Sequence, residues 1–108
     1  MSAPDTLARL AATIAARRAA DPATSWVAKL HARGLPVIAR KLGEEAVETI
    51  TAALAGTREE LVGEAADTIF HLMVLLDAKG VSLNEVLAEL DRRDGTSGIA
   101  EKAARTAD

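Results

Sequence analysis

The chain has 108 residues, 49% hydrophobic and only 2% aromatic, with no cysteine and a formal net charge of −3. That length sets one domain over residues 1–108. The apolar fraction is too high for a disordered chain of this charge, and the missing cysteines exclude disulfides, thiolate zinc sites and cysteine nucleophiles.

A core of Leu, Ile, Val and Ala with almost no aromatic bulk suits closely packed helices, and five helices are predicted with no strand. Asp5 caps the first, in which Leu7, Leu10 and Ile14 form one stripe ending near Asp21-Pro22. Its Ala- and Arg-rich start is similar in composition to a transit peptide but lacks a secretory apolar core, and it reads as this capped helix. Thr24 or Ser25 caps a short second helix, SWVAKLHARG, closed by Gly34. The third runs from about Pro36, well placed in a first turn, to Ala55 before Gly56.

Thr57-Arg-Glu-Glu60 is a capping box that opens the fourth helix, ending at Gly80, and Ser82-Leu-Asn-Glu85 opens the fifth, ending near Arg93. Residues 95–108, rich in turn formers, are expected to be a flexible tail or a short helix draped over a partner. Short links make helices three and four an antiparallel hairpin. The expected fold is all-α: an antiparallel bundle of about five helices. Because the core is thin in large side chains, a homodimer would complete it.

Charge is distributed unevenly. Lys41 to Asp67 holds seven acids and two bases, a balance of −5, against +2 for the rest of the chain. An acidic centre argues against general nucleic-acid binding and suits a site that collects cations. No apolar run approaches the roughly 18 residues of a membrane span, and the absence of cysteine fits a reducing cytoplasm.

Within that centre, KLGEEAVETI places Glu44, Glu45 and Glu48 in little more than one turn, and GEAADTIFHLMVLL adds Glu64 and Asp67 on the facing helix. Two carboxylates about 5–6 Å apart repel by roughly 3 kcal/mol at an effective dielectric constant near 20. On the third helix Ile38, Leu42, Ala46 and Ile50 make the expected core stripe, with Glu45 at its edge, Glu48 to the other side and Glu44 toward solvent. The fourth helix is apolar on nearly every side, hence expected to be buried on nearly every side. The exception is a wedge holding Glu60, Glu64, Asp67, Thr68 and His71. Its far side, with Phe70 and Val74, is the expected dimer interface.

Buried unpaired carboxylates are costly unless protonated, paired or bound to metal, and Lys41 is the one strong base on the facing stretch. E-E-x-x-E, a hairpin turn and E-x-x-D supply hard oxygen ligands from Glu45, Glu48, Glu64 and Asp67, which suits Mg2+, with Mn2+ as the alternative. The competing readings are a solvated acidic face, preferred for Glu44, Glu59 and Glu60, and a di-iron bundle, which wants Glu-x-x-His motifs absent here. His71 is expected to be a hydrogen-bonded structural histidine rather than a ligand. Trp26 is expected in core packing, with base stacking the alternative.

KLGEEAVETI followed by ELVGEAADTIFHLMVLL resembles the all-helical MazG-type nucleotide pyrophosphohydrolases. The flanks LARLAATIAARRAADPATSWVAKLHARGL and GVSLNEVLAELDRRDGTSGIAEKAA are most similar to the phosphoribosyl-ATP pyrophosphohydrolase family. The resemblance implies hydrolysis of phosphoribosyl-ATP to phosphoribosyl-AMP and pyrophosphate in the second step of histidine biosynthesis, dependence on magnesium, and a homodimer. It carries Glu45, Glu48, Glu64 and Asp67 onto the metal-ligand positions and Glu44 onto the leading acid. The cyclohydrolase of the next step, fused in many relatives, is expected to be a separate protein.

Glu44 or Glu48 is then the candidate base for the attacking water. Lys41, Lys29 with Ser25, and more weakly Arg33 and Arg40 are candidates to bind substrate phosphates. Two rival functions stand beside this one: a house-cleaning nucleoside triphosphate pyrophosphohydrolase with the same metal chemistry, and a non-catalytic helical interaction module.

Overall fold

The computed structural model describes residues 3–106. They form six helices: α1 (Ala3–Arg17), α2 (Trp26–Arg33), α3 (Leu35–Ala55), α4 (Arg58–Ala78), α5 (Leu83–Arg93) and α6 (Gly98–Thr106), with no strand among the described residues. The all-α class is as expected. The sixth helix lies in the stretch anticipated as a tail, and α1 starts and stops earlier than the Asp5–Asp21 span.

Local chemistry sets the boundaries. The Ser25 hydroxyl accepts from Ala28 N–H at 3.2 Å and opens α2. Gly34, at φ 98°, both closes α2 and precedes α3, a backbone state that a Cβ would penalise. Thr57 Oγ1 accepts from Glu60 N–H at 3.1 Å and starts α4. Ser82 and Glu85 form a full reciprocal box on α5, at 3.2 and 2.7 Å. At the α3–α4 turn a Cβ on Gly56 would lie 3.0 Å from the Ala52 carbonyl oxygen and from Glu60 Oε2, so a glycine lets the hairpin close tightly.

The core is built from one or two residues of each of the first four helices: Ile14, Val27, Leu30, Ile38, Met73 and Val74, with Phe70 packed against it. The longest seam runs between α3 and α4. Asp77, at the end of α4, takes Arg18 through two hydrogen bonds of 3.0 and 2.6 Å, and His31 Nε2 lies 3.2 Å from Oδ2, the oxygen that also accepts from Arg18 Nε. That hub ties the loop after α1 and the end of α2 to α4. Farther along, buried Glu101 of α6 accepts from Arg92 of α5 at 2.6 Å, and Glu89 holds both Arg92 and Arg93 at 2.8 Å.

Three packing expectations need correction. The buried positions of α3 are Ile38, Glu45 and Ala52, seven residues apart, whereas Ile50 is exposed. Glu45 is therefore central to the inward stripe rather than at its edge. Val74 is fully buried within its own chain and Phe70 packs on the same core, so neither is free to form a dimer interface. Nor is α4 covered all round within its own chain: Val62, Ile69 and Leu72 are exposed, as are Val47, Ile50 and Leu54 of α3.

Candidate active site

Helix α3 brings Glu45 and Glu48 to the seam, and α4 brings Glu64. One carboxylate oxygen from each lies within 4.8 Å of the others. Glu45 is 9% exposed, Glu64 half-buried and Glu48 open to solvent. The two helices are locked just beyond the acids by Thr49 and Thr68, whose hydroxyls are 2.8 Å apart. Each threonine also reaches back 2.9 Å to the carbonyl of the residue four before it, and those residues are Glu45 and Glu64. The sequence signal for this latch was a threonine at the same offset after each acid, which the search for charged ligands passed over.

Burial above all, then the hydrogen bond and charge of Glu48 and the charge of Asp67, raises Glu45 above the ordinary carboxylate value. Glu64 is pushed up to about 6, again by burial first and then by Glu48 and Glu45. Oε2 of Glu45 and Oε2 of Glu64 are both buried with no hydrogen-bond partner. A buried carboxylate oxygen left without a donor is a costly arrangement. An oxygen-seeking divalent cation meets that need, and the donor set of carboxylates alone fits it. The residues present thus suit a hard metal ion held by Glu45, Glu48 and Glu64.

Asp67 differs from expectation. Its side chain is exposed rather than enclosed with Glu64 in the wedge, and it lies outside the three-residue cluster, though near enough for its charge to act on Glu45. Glu44 faces solvent as expected, 3.6 Å from Arg40 Nε and 3.4 Å from Lys41 Nζ. Lys41 also sits 5.9 Å from the centroid of the Trp26 ring. Ser25 is buried and its hydroxyl oxygen is the cap of α2. Lys29 is exposed beside it in a hollow lined by residues 22 to 26. Arg33 is exposed at the other end of α2.

His71 is a hydrogen-bonded structural residue, as expected: Nδ1 lies 2.7 Å from the Asp67 carbonyl oxygen, and Nε2 accepts from Trp26 Nε1–H at 3.2 Å. Trp26 itself is not a core residue, being 41% exposed. Among the described residues no helix is long and apolar enough to cross a membrane.

Comparison with known proteins identifies the family. The family model described as phosphoribosyl-ATP pyrophosphohydrolase matches residues 7–94. The chain is 71% identical over 100 residues to a phosphoribosyl-ATP pyrophosphatase of Novosphingobium aromaticivorans, covering 93% of this chain and 94% of that one. It is 68% identical over 101 residues to one of Erythrobacter litoralis, covering 94% and 97%, and 69% identical over 100 residues to one of Rhizorhabdus wittichii, covering 93% and 94%. With an acidic cluster at the α3–α4 seam and likeness running along nearly its whole length, the chain belongs to the phosphoribosyl-ATP pyrophosphohydrolase family.

Proposed function

We propose that the chain hydrolyses phosphoribosyl-ATP to phosphoribosyl-AMP and pyrophosphate, in histidine biosynthesis, in the cytoplasm. The observation that carries the reading is the meeting of Glu45, Glu48 and Glu64 at one point, with two of their oxygens buried and unpartnered, in a chain of this family. The product phosphoribosyl-AMP would pass to a separate cyclohydrolase.

Glu45, Glu48 and Glu64 would hold Mg2+, with Asp67 beside them completing the acidic set; Mn2+ has the same ligand preference. When bound, the ion supplies positive charge for the triphosphate oxygens and a more acidic water. Glu48 is the cluster member open to solvent, and we assign it the proton of the water that attacks the α-phosphorus. Glu44 is the weaker candidate because Arg40 and Lys41 already pair with it. As the new P–O bond forms, the α–β anhydride bond breaks and pyrophosphate leaves with its electron pair. Lys41 and Lys29 offset the charge that builds on that leaving group. Ser25 fixes the start of α2 and so the placement of Lys29 and Trp26, and Arg33 is the most distant of the basic candidates along that helix.

A homodimer is part of the same reading. Val47, Ile50 and Leu54 on α3 and Val62, Ile69 and Leu72 on α4 are large apolar residues left exposed, and a second copy would remove such side chains from water.

Pyrophosphate release from phosphoribosyl-ATP by Glu45→Gln and Asp67→Asn, beside a panel of deoxynucleoside triphosphates, tests the reaction and its substrate. Release falls by orders of magnitude in both variants while helix content stays nearly constant. Wild-type turnover in both variants ends the metal-site reading. Preference for the deoxynucleotides replaces the substrate with that of a house-cleaning enzyme.

A further inference from the structure

Trp26 is turned the unusual way round. An indole at a surface generally keeps its ring inside and its N–H in water. Here Nε1–H is directed inward onto His71, which is 6% exposed, while the residue as a whole is 41% exposed. A carbonyl only accepts and an indole N–H only donates. The contacts of His71 with the Asp67 carbonyl and with Trp26 are therefore both met by one state, the neutral ring with its proton on Nδ1. The two rings meet edge to face, 78° apart in plane with centroids 6.4 Å apart. That bond fixes the orientation of the indole.

The same ring is linked to two acids next to the cluster, Glu44 and Asp67. Lys41 Nζ, 5.9 Å from the ring centroid, is 3.4 Å from Glu44 Oε2. His71, which holds the indole N–H, also holds the backbone of Asp67. On its α2 side Trp26 borders a hollow of about 200 Å³ shared with Ser25 and Lys29. A part-exposed ring with one lysine over it and a second in the adjoining hollow is a poor centre for a protein–protein contact, where lysine is depleted. It is a fitting one for a nucleotide, whose base needs a flat apolar face and whose phosphates need cations.

We propose that Trp26 is the wall on which the purine base of the substrate stacks, and that His71 is the positioning residue that holds it there. This deepens the proposed reaction and rests on it for the identity of the nucleotide. It names the part of the ligand that α2 reads and a role for the Trp26–His71 bond beyond packing.

Trp26 is the only tryptophan, so intrinsic emission reports on it alone. Titration of the intact protein with ATP or AMP in the presence of Mg2+ quenches that emission saturably, whereas ribose 5-phosphate and inorganic tripolyphosphate, which lack a base, leave it unchanged. Trp26→Ala raises KM for pyrophosphate release roughly 5- to 150-fold, the range for loss of one base–aromatic stack, with a smaller fall in kcat. Trp26→Phe, which keeps a ring and little disturbs folding, raises KM less. His71→Leu raises KM and shifts the unliganded emission, and His71→Gln, which returns an acceptor to the indole, restores most of both. Emission unmoved by millimolar ATP and AMP overturns the proposal, as does equal quenching by tripolyphosphate or an unchanged KM in Trp26→Ala. Quenching by ATP in a protein that releases no pyrophosphate from phosphoribosyl-ATP would uphold the base wall and sink the substrate assignment, so the two stand or fall separately.

Discussion

Glu45 and Glu64 each hold an Oε2 atom that is buried and has no hydrogen-bond partner, although the two residues belong to one cluster on adjoining helices. Like charges so placed oppose folding unless a proton or a cation stands between them. The metal-free protein and the magnesium-loaded protein should therefore differ in stability, and the difference should depend on pH.

Glu64 titrates at about 6 in the fold against 4.5 ordinarily, and Glu45 is displaced in the same direction. A carboxyl with a raised folded value stabilises the fold fully below its unfolded value and loses that contribution as pH rises through the folded one. The metal-free protein thus weakens from about pH 4.5 through 6. A divalent cation held there would replace the lost protons, and only once they have left. Thermal melts should show almost no magnesium shift at pH 4.5 and a rise of roughly 10–20 °C at pH 7.5, with the ion at 100 times its Kd. A shift of equal size at both pH values would contradict the site.

Glu45→Gln separates stability from activity. Glutamine keeps the shape and removes one of the crowded charges, so the metal-free variant should melt no lower than wild type at pH 7.5, or a little higher. Its magnesium shift should shrink and its turnover fall about 100-fold or more, the scale on which losing one preorganised electrostatic group acts. A variant that melts far below wild type without metal would show that Glu45 is structural rather than a charge kept for a ligand.

The meeting of Glu45, Glu48 and Glu64 was legible because a capped turn joins their two helices, whereas the step from Glu64 to Asp67 did not bring Asp67 into the cluster. Gly56 and Thr57 mark that turn in the sequence itself. The outward face of α4 was not legible, since a helix apolar on almost every side gives a helical wheel no basis for choosing between Val74, which is buried, and Val62, which is 65% exposed. Trp26 and Asp77 were missed for a related reason. Their partners, His71 for one and Arg18 and His31 for the other, lie far away in the chain and depend on the angle at which α2 docks. Composition and periodicity carry no record of that angle.

The choice of apolar face bears on assembly. Leu54 is 84% exposed, and Ile50 on the same helix and Ile69 on α4 are exposed as well. Leu54→Glu combined with Ile69→Glu should move the protein to the monomer mass in light scattering while its helix content is kept. Leu30→Ala acts on the fully buried core instead and should lower stability by about 2–5 kcal/mol without changing the mass of the folded species. A dimer that survives both glutamates would place the interface on another surface.

Asp77 offers the last test, since three parts of the chain meet at its carboxylate. Arg18 donates through Nε and Nη2, and His31 Nε2 approaches Oδ2. Losing Arg18 removes its two hydrogen bonds, whereas losing the acid also takes the carboxylate from beside His31 Nε2, which is buried and has no hydrogen-bond partner. Asp77→Ala should therefore lower the melting temperature more than Arg18→Ala, and Arg18→Ala added to Asp77→Ala should lower it hardly further. Because Arg18 is half exposed, the Arg18→Ala effect should shrink as salt is raised. Fully additive losses in the double variant would mean that Arg18 and Asp77 do not act through one another.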